Sequence, residues 1–213
     1  MLLDVLLKIF TSRKRFRNHF LKKSYIENIL RQELDKLCAE FNIEPVNLVC
    51  SATDRLLFDA NMMRALKGIE PRTNDLSKTS FMITMHNCEF TNDRAHNKLV
   101  GIIVNMDLIM AIFKYNDTPH MVDKNADILK TLLRHEIGHI IVEGSVYENM
   151  SYNEAKETIL TRQKEELEAL EAINDIIDNK LYARGYYQIP REAMANEAVG
   201  ISIDEMCRIY SKF

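Results

Sequence analysis

The chain has 213 residues and a net charge of −3, so it is long enough to bury a continuous core unaided, and its overall charge points to no polyanionic partner. Its four cysteines, Cys38, Cys50, Cys88 and Cys207, share no CxxC or CxxxC spacing, which argues against a zinc ribbon or a disulfide framework and suits reduced thiols in a cytoplasm. No apolar run approaches the roughly 20 residues that span a bilayer.

The first 23 residues combine Lys8, Arg13, Lys14, Arg15, Arg17, Lys22 and Lys23 with apolar Leu2, Leu3, Leu6, Leu7, Phe10, Phe16 and Phe20. Asp4 and Lys8 interrupt the apolar start, and the basic cluster follows it instead of preceding it, so no secretory signal is expected. Residues 1–23 therefore read as a basic amphipathic segment. Contact with nucleic acid or an anionic membrane is one use for it. The plainer one, favoured because basic runs are commonly surface, is a solvated helix packed on the domain.

Residues 24–213 show no repeat, low-complexity tract or Pro/Gly/Ser-rich linker and read as a single domain. Ile26, Ile29, Leu30, Leu34, Leu37 and Cys38 give Ser24–Phe41 helical periodicity, and Ser24 with Glu27 matches a capping box. Asn47–Ser51, Phe81–Glu89 and Lys98–Met106 are β-branched or alternating runs of strand length, expected to form a small antiparallel or mixed sheet. Helical patterns follow over Asn125–Glu143, Ser151–Arg184 and Pro190–Ser211. Strands first and helices later predict an α+β fold.

The Ser151–Arg184 pattern opens on a second capping box, Ser151 with Glu154, and reaches Gly185 as a candidate C′ residue before Pro190. Unbroken, it would be about 50 Å long. Leu160, Leu167, Leu170, Ile173, Ile177 and Leu181 recur at roughly 3.5-residue intervals among Glu, Lys and Arg. Such a helix packs within the monomer or pairs with a second copy, making a homo-oligomer through 151–184.

The stretch Leu132-Leu133-Arg134-His135-Glu136-Ile137-Gly138-His139 contains H-E-x-x-H within a helical pattern, with Asp123 or Asn125 as candidate caps. Residues four apart share a helix face, so both imidazoles can converge on one Zn2+ at roughly 2.0–2.1 Å each. Glu136 then stands beside the metal, placed to take a proton from the attacking water as general base. A catalytic zinc usually keeps three protein ligands. All six histidines lie at or before residue 139, so a downstream third ligand is acidic or is Cys207. The metzincin extension is excluded, because Val142 and Ser145 occupy its Gly and His positions. In Arg191-Glu192-Ala193-Met194-Ala195-Asn196-Glu197, Glu192 and Asn196 share a face, and the alanines permit close helix approach. Glu192 is the expected ligand, with Glu197 and Glu143 as competitors, and Asn196 is expected to accept from an imidazole N–H of His135 or His139 and fix its tautomer.

His135-Glu136-Ile137-Gly138-His139 followed by Glu192-Ala193-Met194-Ala195-Asn196 resembles the gluzincin arrangement of HExxH plus ExxxD/N, most closely the compact ImmA/IrrE-type metallopeptidases. Ile102-Ile103-Val104-Asn105 is similar to the strand pattern before their active-site helix. The resemblance covers roughly residues 98–200. It implies a zincin-like fold, a protein or peptide substrate inside a bacterial or virally infected cell, and Lys98–Met106 as the edge strand along which that substrate lies. The long charged helix between His139 and Glu192 departs from the compact pattern. Tyr186, Tyr187 and His120 are candidates for stabilising an oxyanion. The competing reading is a metal-stabilised, non-catalytic binding or assembly protein, which would have no need of Glu136.

Overall fold

The computed structural model describes residues 23–73, 76, 80–112, 120–176 and 178–210. The basic segment lies, but for Lys23, outside them.

Helix α1 occupies residues 23–40 and buries Ile26, Leu30, Leu34, Leu37 and Cys38, the stripe its periodicity predicts. Residue 23 is already helical, so Ser24 sits inside the helix and does not cap it. Asn42 ends it in the left-handed region (φ 52°), with Ile43 N–H donating to the Cys38 carbonyl and Asn42 N–H to that of Ala39, a Schellman closure that a short polar residue tolerates.

Strand β1 (Leu48–Ser51) leads through a 3-10 turn, Thr53–Arg55, into helix α2 (Leu56–Leu66). Strands β2 (Met82–Thr91) and β3 (Arg94–Asn105) form a hairpin. Its two turn residues, Asn92 and Asp93, both have positive φ, as a type I′ turn requires. The sheet order is β1-β3-β2, with β1 parallel and β2 antiparallel to β3. The sheet is therefore mixed, and the expectation that Lys98–Met106 forms the edge is overturned. β3 runs up the centre because both its faces and both its edges are used. Its stretch Val100–Asn105 is wholly buried, as expected for a strand covered on two sides. The edge strands are β1 and β2.

Alternation, interrupted where the β2–β3 register skips Val100 between Met85 and His86, divides the sheet between two cores. Leu48, Met82, Ile102 and Val104 face α1 and the later helices, whereas Met85, Val100 and Ile103 face Leu56, Ala60 and Met63 of α2. After β3 come α3 (Met106–Ile112), α4 (His120–Val146), α5 (Tyr152–Ile173), α6 (Asn179–Tyr186), α7 (Pro190–Ala198) and α8 (Ile203–Tyr210). The architecture is α+β. Helix α4 extends back to His120, so Asp123 and Asn125 lie within it and not at its start.

Two of the expected helices are each divided. The Ser151–Arg184 pattern stops at Ile173 and restarts at Asn179, where the Asp178 side chain accepts from the Lys180 and Leu181 N–H groups. An Asp that caps a new helix competes with continuing the old one. Gly185 lies inside α6 instead of ending it, and the Ile173 side chain occupies the space a Cβ there would need, at 2.5 Å. The Pro190–Ser211 pattern breaks at Gly200 (φ 71°), where Ile201 N–H donates to the Asn196 carbonyl and Gly200 N–H to that of Glu197, again a Schellman closure. The Ser151–Glu154 capping box is present on α5. Among the described residues no helix is long and apolar enough to cross a membrane.

Candidate metal centre

Helix α4 is apolar around most of its circumference where it enters the core, burying Ile128, Leu129, Leu132, Leu133 and Ile137. His135 and His139 sit on the side that faces α7, each 5% exposed. Helix α7 opens with Pro190 in its first turn and presents Glu192, 5% exposed, and Asn196, 1% exposed, from one face. The two helices come together at Gly138. A Cβ built there would lie 2.0 Å from the Ala195 carbonyl oxygen, so no residue with a side chain fits without moving one backbone.

This approach brings three side chains to a point. His135 Nε2 and His139 Nε2 are 3.2 Å apart, and Glu192 Oε2 stands 3.0 Å from the first and 3.4 Å from the second. A tetrahedral ion with bonds of roughly 2.0–2.1 Å spaces its ligand atoms about 3.3–3.4 Å apart, so the three atoms fit one face of such a tetrahedron with a small contraction. Nδ1–H of His135 donates to Asn196 Oδ1 at 2.8 Å, which leaves its Nε2 lone pair aimed at that point. The donor set of two imidazoles and a carboxylate suits a divalent cation. Among the described residues it is the one cluster of three His, Cys, Asp or Glu groups arranged to hold a metal ion.

The electrostatics point the same way. Burial alone would raise the Glu192 carboxyl, but hydrogen bonds and charge from His135 and His139 hold it well below the usual carboxylate range. Burial pushes the His135 imidazole down, and Glu192, Glu136 and Asn196 together outweigh it and leave it raised. The pocket is thus built to concentrate negative potential on a positive charge, whether proton or metal.

The structure separates the other candidates. Glu197 is exposed. Glu143 is buried, but its Oε1 accepts from Arg191 Nε at 2.8 Å with Arg162 at 3.8 Å, so it serves as an anion for arginines. Cys207 is buried on α8 outside the cluster. Glu136 is 7% exposed and directed into the cleft beside the three ligand atoms. Its Oε2 accepts from Thr84 Oγ1 at 2.7 Å. Tyr187 is buried with its ring edge-on to His135, centroids 5.5 Å apart, while Tyr186 lines the cleft. The His120 side chain lies outside what the structure describes.

Sequence reasoning missed Thr84 and the Arg191–Glu143 pair. The signal for Thr84 was a lone hydroxyl at a buried position of the apolar run Met82–Met85, and for Arg191 its place next to Glu192. The cleft itself has a volume of about 550 Å3, bounded by Phe81, just before β2, by Thr84 of β2, by Leu132 of α4, and by Leu170 and Tyr186. Compared with known proteins, the chain matches no family model, no curated protein and no solved structure.

Proposed function

We propose that the protein is a zinc-dependent metallopeptidase of the gluzincin type, zincin-like in fold and most similar to the compact ImmA/IrrE-type enzymes, acting on a polypeptide in the cytoplasm. The observation that carries this reading is the convergence of His135, His139 and Glu192 at tetrahedral spacing with a second carboxylate, Glu136, held beside them and left out of the triangle. A purely structural site has no use for that carboxylate. Unpaired Cys38, Cys50, Cys88 and Cys207 suit a reducing compartment.

Zinc on these three residues supplies Lewis-acid polarisation and a water of lowered pKa. Glu136 takes the proton of the attacking water and returns it to the leaving amine. The Thr84 hydroxyl donates to Oε2 of Glu136 and helps hold the carboxylate in one orientation. Asn196 fixes the His135 tautomer. Tyr186 is the described cleft residue best suited to donate to a developing oxyanion.

Elemental analysis of the purified chain should find about one zinc per molecule, and little in His135→Ala or His139→Ala. Glu192→Ala should lose zinc while Glu197→Ala keeps it. Glu136→Gln should keep zinc and lose roughly 100- to 10,000-fold in hydrolysis. Full zinc in either histidine variant would remove the metal centre, and undiminished hydrolysis by Glu136→Gln would remove the mechanism, leaving a metal-stabilised binding protein.

A further inference from the structure

Beyond the ligands the cleft opens into a second chamber of about 520 Å3, and the two chambers share Arg72, Ile83, Thr84, Glu166 and Arg191. These five residues mark the junction between them. The junction lies beside the proposed base, because the Thr84 hydroxyl donates to Glu136 Oε2 at 2.7 Å. It carries two guanidiniums and one carboxylate. Arg191 is already answered, since its Nε donates to Glu143 Oε1 at 2.8 Å and its Nη1 stands 3.8 Å from Glu166. Arg72 is exposed and has no carboxylate within ion-pairing distance among the described residues.

The backbone that carries Arg72 is fixed to α2. Ile69 joins the core around Leu56, Ala60 and Met63, and Asn61 brackets residue 72, its Oδ1 accepting from the Arg72 N–H at 2.8 Å and its Nδ2 donating to the Arg72 carbonyl at 3.1 Å. A second guanidinium stands near. Arg64 is 7% exposed, and its Nε and Nη2 donate only to neutral acceptors, the Glu70 carbonyl at 2.6 Å and Asn87 Oδ1 at 3.2 Å. Burial, and then the neighbouring charge of Arg72, pull the Arg64 guanidinium below its usual range. Buried charges are ordinarily paired. Here two adjacent cations lack a counter-ion among the described residues, and the exposed one lines the junction.

The carboxylates of the groove are otherwise engaged. Glu192 lies with the histidines, Glu136 with Thr84, Glu143 with Arg191, and Glu166 opposite Arg191. Glu165 has no ion pair, but it lines the second chamber alone, whereas Arg72 lines both. A guanidinium offers a planar fork of N–H donors that a carboxylate accepts in two parallel bonds. A carboxamide of the same shape brings no charge, and an ammonium is repelled. We infer that Arg72 is a specificity-determining residue that binds a carboxylate of the polypeptide substrate, from an Asp or Glu side chain or from its C-terminus, close to the bond cleaved at the His135–His139–Glu192 centre. This rests on the peptidase reading and deepens it by naming the substrate group recognised.

The test measures binding apart from catalysis. Fluorescein-labelled, C-amidated octapeptides of one Ser/Ala background, carrying Glu, Gln or Lys at each central position in turn, are titrated by anisotropy against the zinc-loaded full chain bearing Glu136→Gln. A nested series of Ser/Ala peptides ending in a free carboxylate or an amide tests the C-terminus as the source. At the best position Glu should bind at least ~10-fold more tightly than Gln, and Lys more weakly than either, or else the free-acid peptide should exceed its amide by the same factor. Adding Arg72→Met should leave Tm and zinc content unchanged, because no fold contact of the Arg72 side chain is lost, and should abolish the advantage of the carboxylate. Adding Arg72→Glu instead should turn the preference towards Lys. Equal binding of Glu and Gln at every position together with equal binding of free acid and amide, tighter binding of Lys by the chain with Arg72, no binding of any peptide, or a carboxylate preference that survives Arg72→Met overturns the assignment. If the preference and its loss in Arg72→Met are seen but the wild-type chain never cleaves the peptide it binds, the role of Arg72 stands and the peptidase reading falls.

Discussion

Helices α4 and α7 and helix α5 lie on the two sides of one cleft and are held in opposite ways. Between α4 and α7 the backbones touch at Gly138 and Ala195, and the polar groups exchanged there are almost wholly buried. Helix α5 buries Ala155 near its start and Ile173 at its end, while Leu160 and Leu167 are 56% and 59% exposed. Between these anchors it is tied to the body by ion pairs such as Arg162–Glu143 and Arg191–Glu166, each at 3.8 Å, an arrangement worth at most about 1 kcal/mol per pair where solvent reaches it. A ligand set needs tolerance of a fraction of an ångström and sits where packing is closest. A wall that reads varied substrates can be tied at its ends.

The strongest way to break this comparison is Gly138→Ala. The added methyl meets the Ala195 carbonyl and forces α7 away from α4, with an expected cost of about 3 kcal/mol or more and a loss of zinc as Glu192 leaves the histidines. Thermal unfolding and elemental analysis check both parts, and unchanged Tm with full zinc would mean that the helix approach is not what holds the site. Asn196→Ala, which removes the partner of His135 Nδ1, should weaken zinc binding about 10- to 100-fold in a chelator competition, with little change in fold. An unaltered affinity would show that another group orients the ring.

Effects on α5 should be smaller. Ser151→Ala removes the Oγ that accepts from the Glu154 N–H, while the backbone N–H of residue 151 can still donate to the Glu154 carboxylate, and should cost about 1 kcal/mol, read as a Tm shift, with zinc content intact. Leu160→Glu with Leu167→Glu should change stability by about 0.5 kcal/mol or less if that face meets solvent. Sedimentation of the same variant sharpens the point. A chain that self-associates and falls apart on this double substitution would assign the face to pairing between two copies, whereas an unchanged sedimentation coefficient leaves α5 as a wall of the cleft alone.

What the sequence determined by itself is what depends on neighbours within a few residues. Helical spacing set His135 and His139 on one face of α4, and Glu192 and Asn196 on one face of α7; the buried stripe of α1 and the capping box of α5 followed from the same local periodicity. The strands too were legible, because alternation and β-branching are local. The tertiary structure decided whatever depends on residues far apart in the chain. Strand order is of this kind: Arg94–Asn105 pairs with 48–51 on one side and 82–91 on the other, and nothing within β3 says that it will be central. The helix breaks at 174–178 and at Gly200 show competition between signals, since a capping Asp or a glycine can sit unused in a helix until packing, such as Ile173 seated on Gly185, favours the break. The hydroxyl of Thr84 on Glu136, 52 residues away, and the guanidinium of Arg191 on Glu143, 48 residues away, have no spacing rule behind them. They exist because β2 and α7 both pack against α4, and contacts of that range are fixed by the whole core at once.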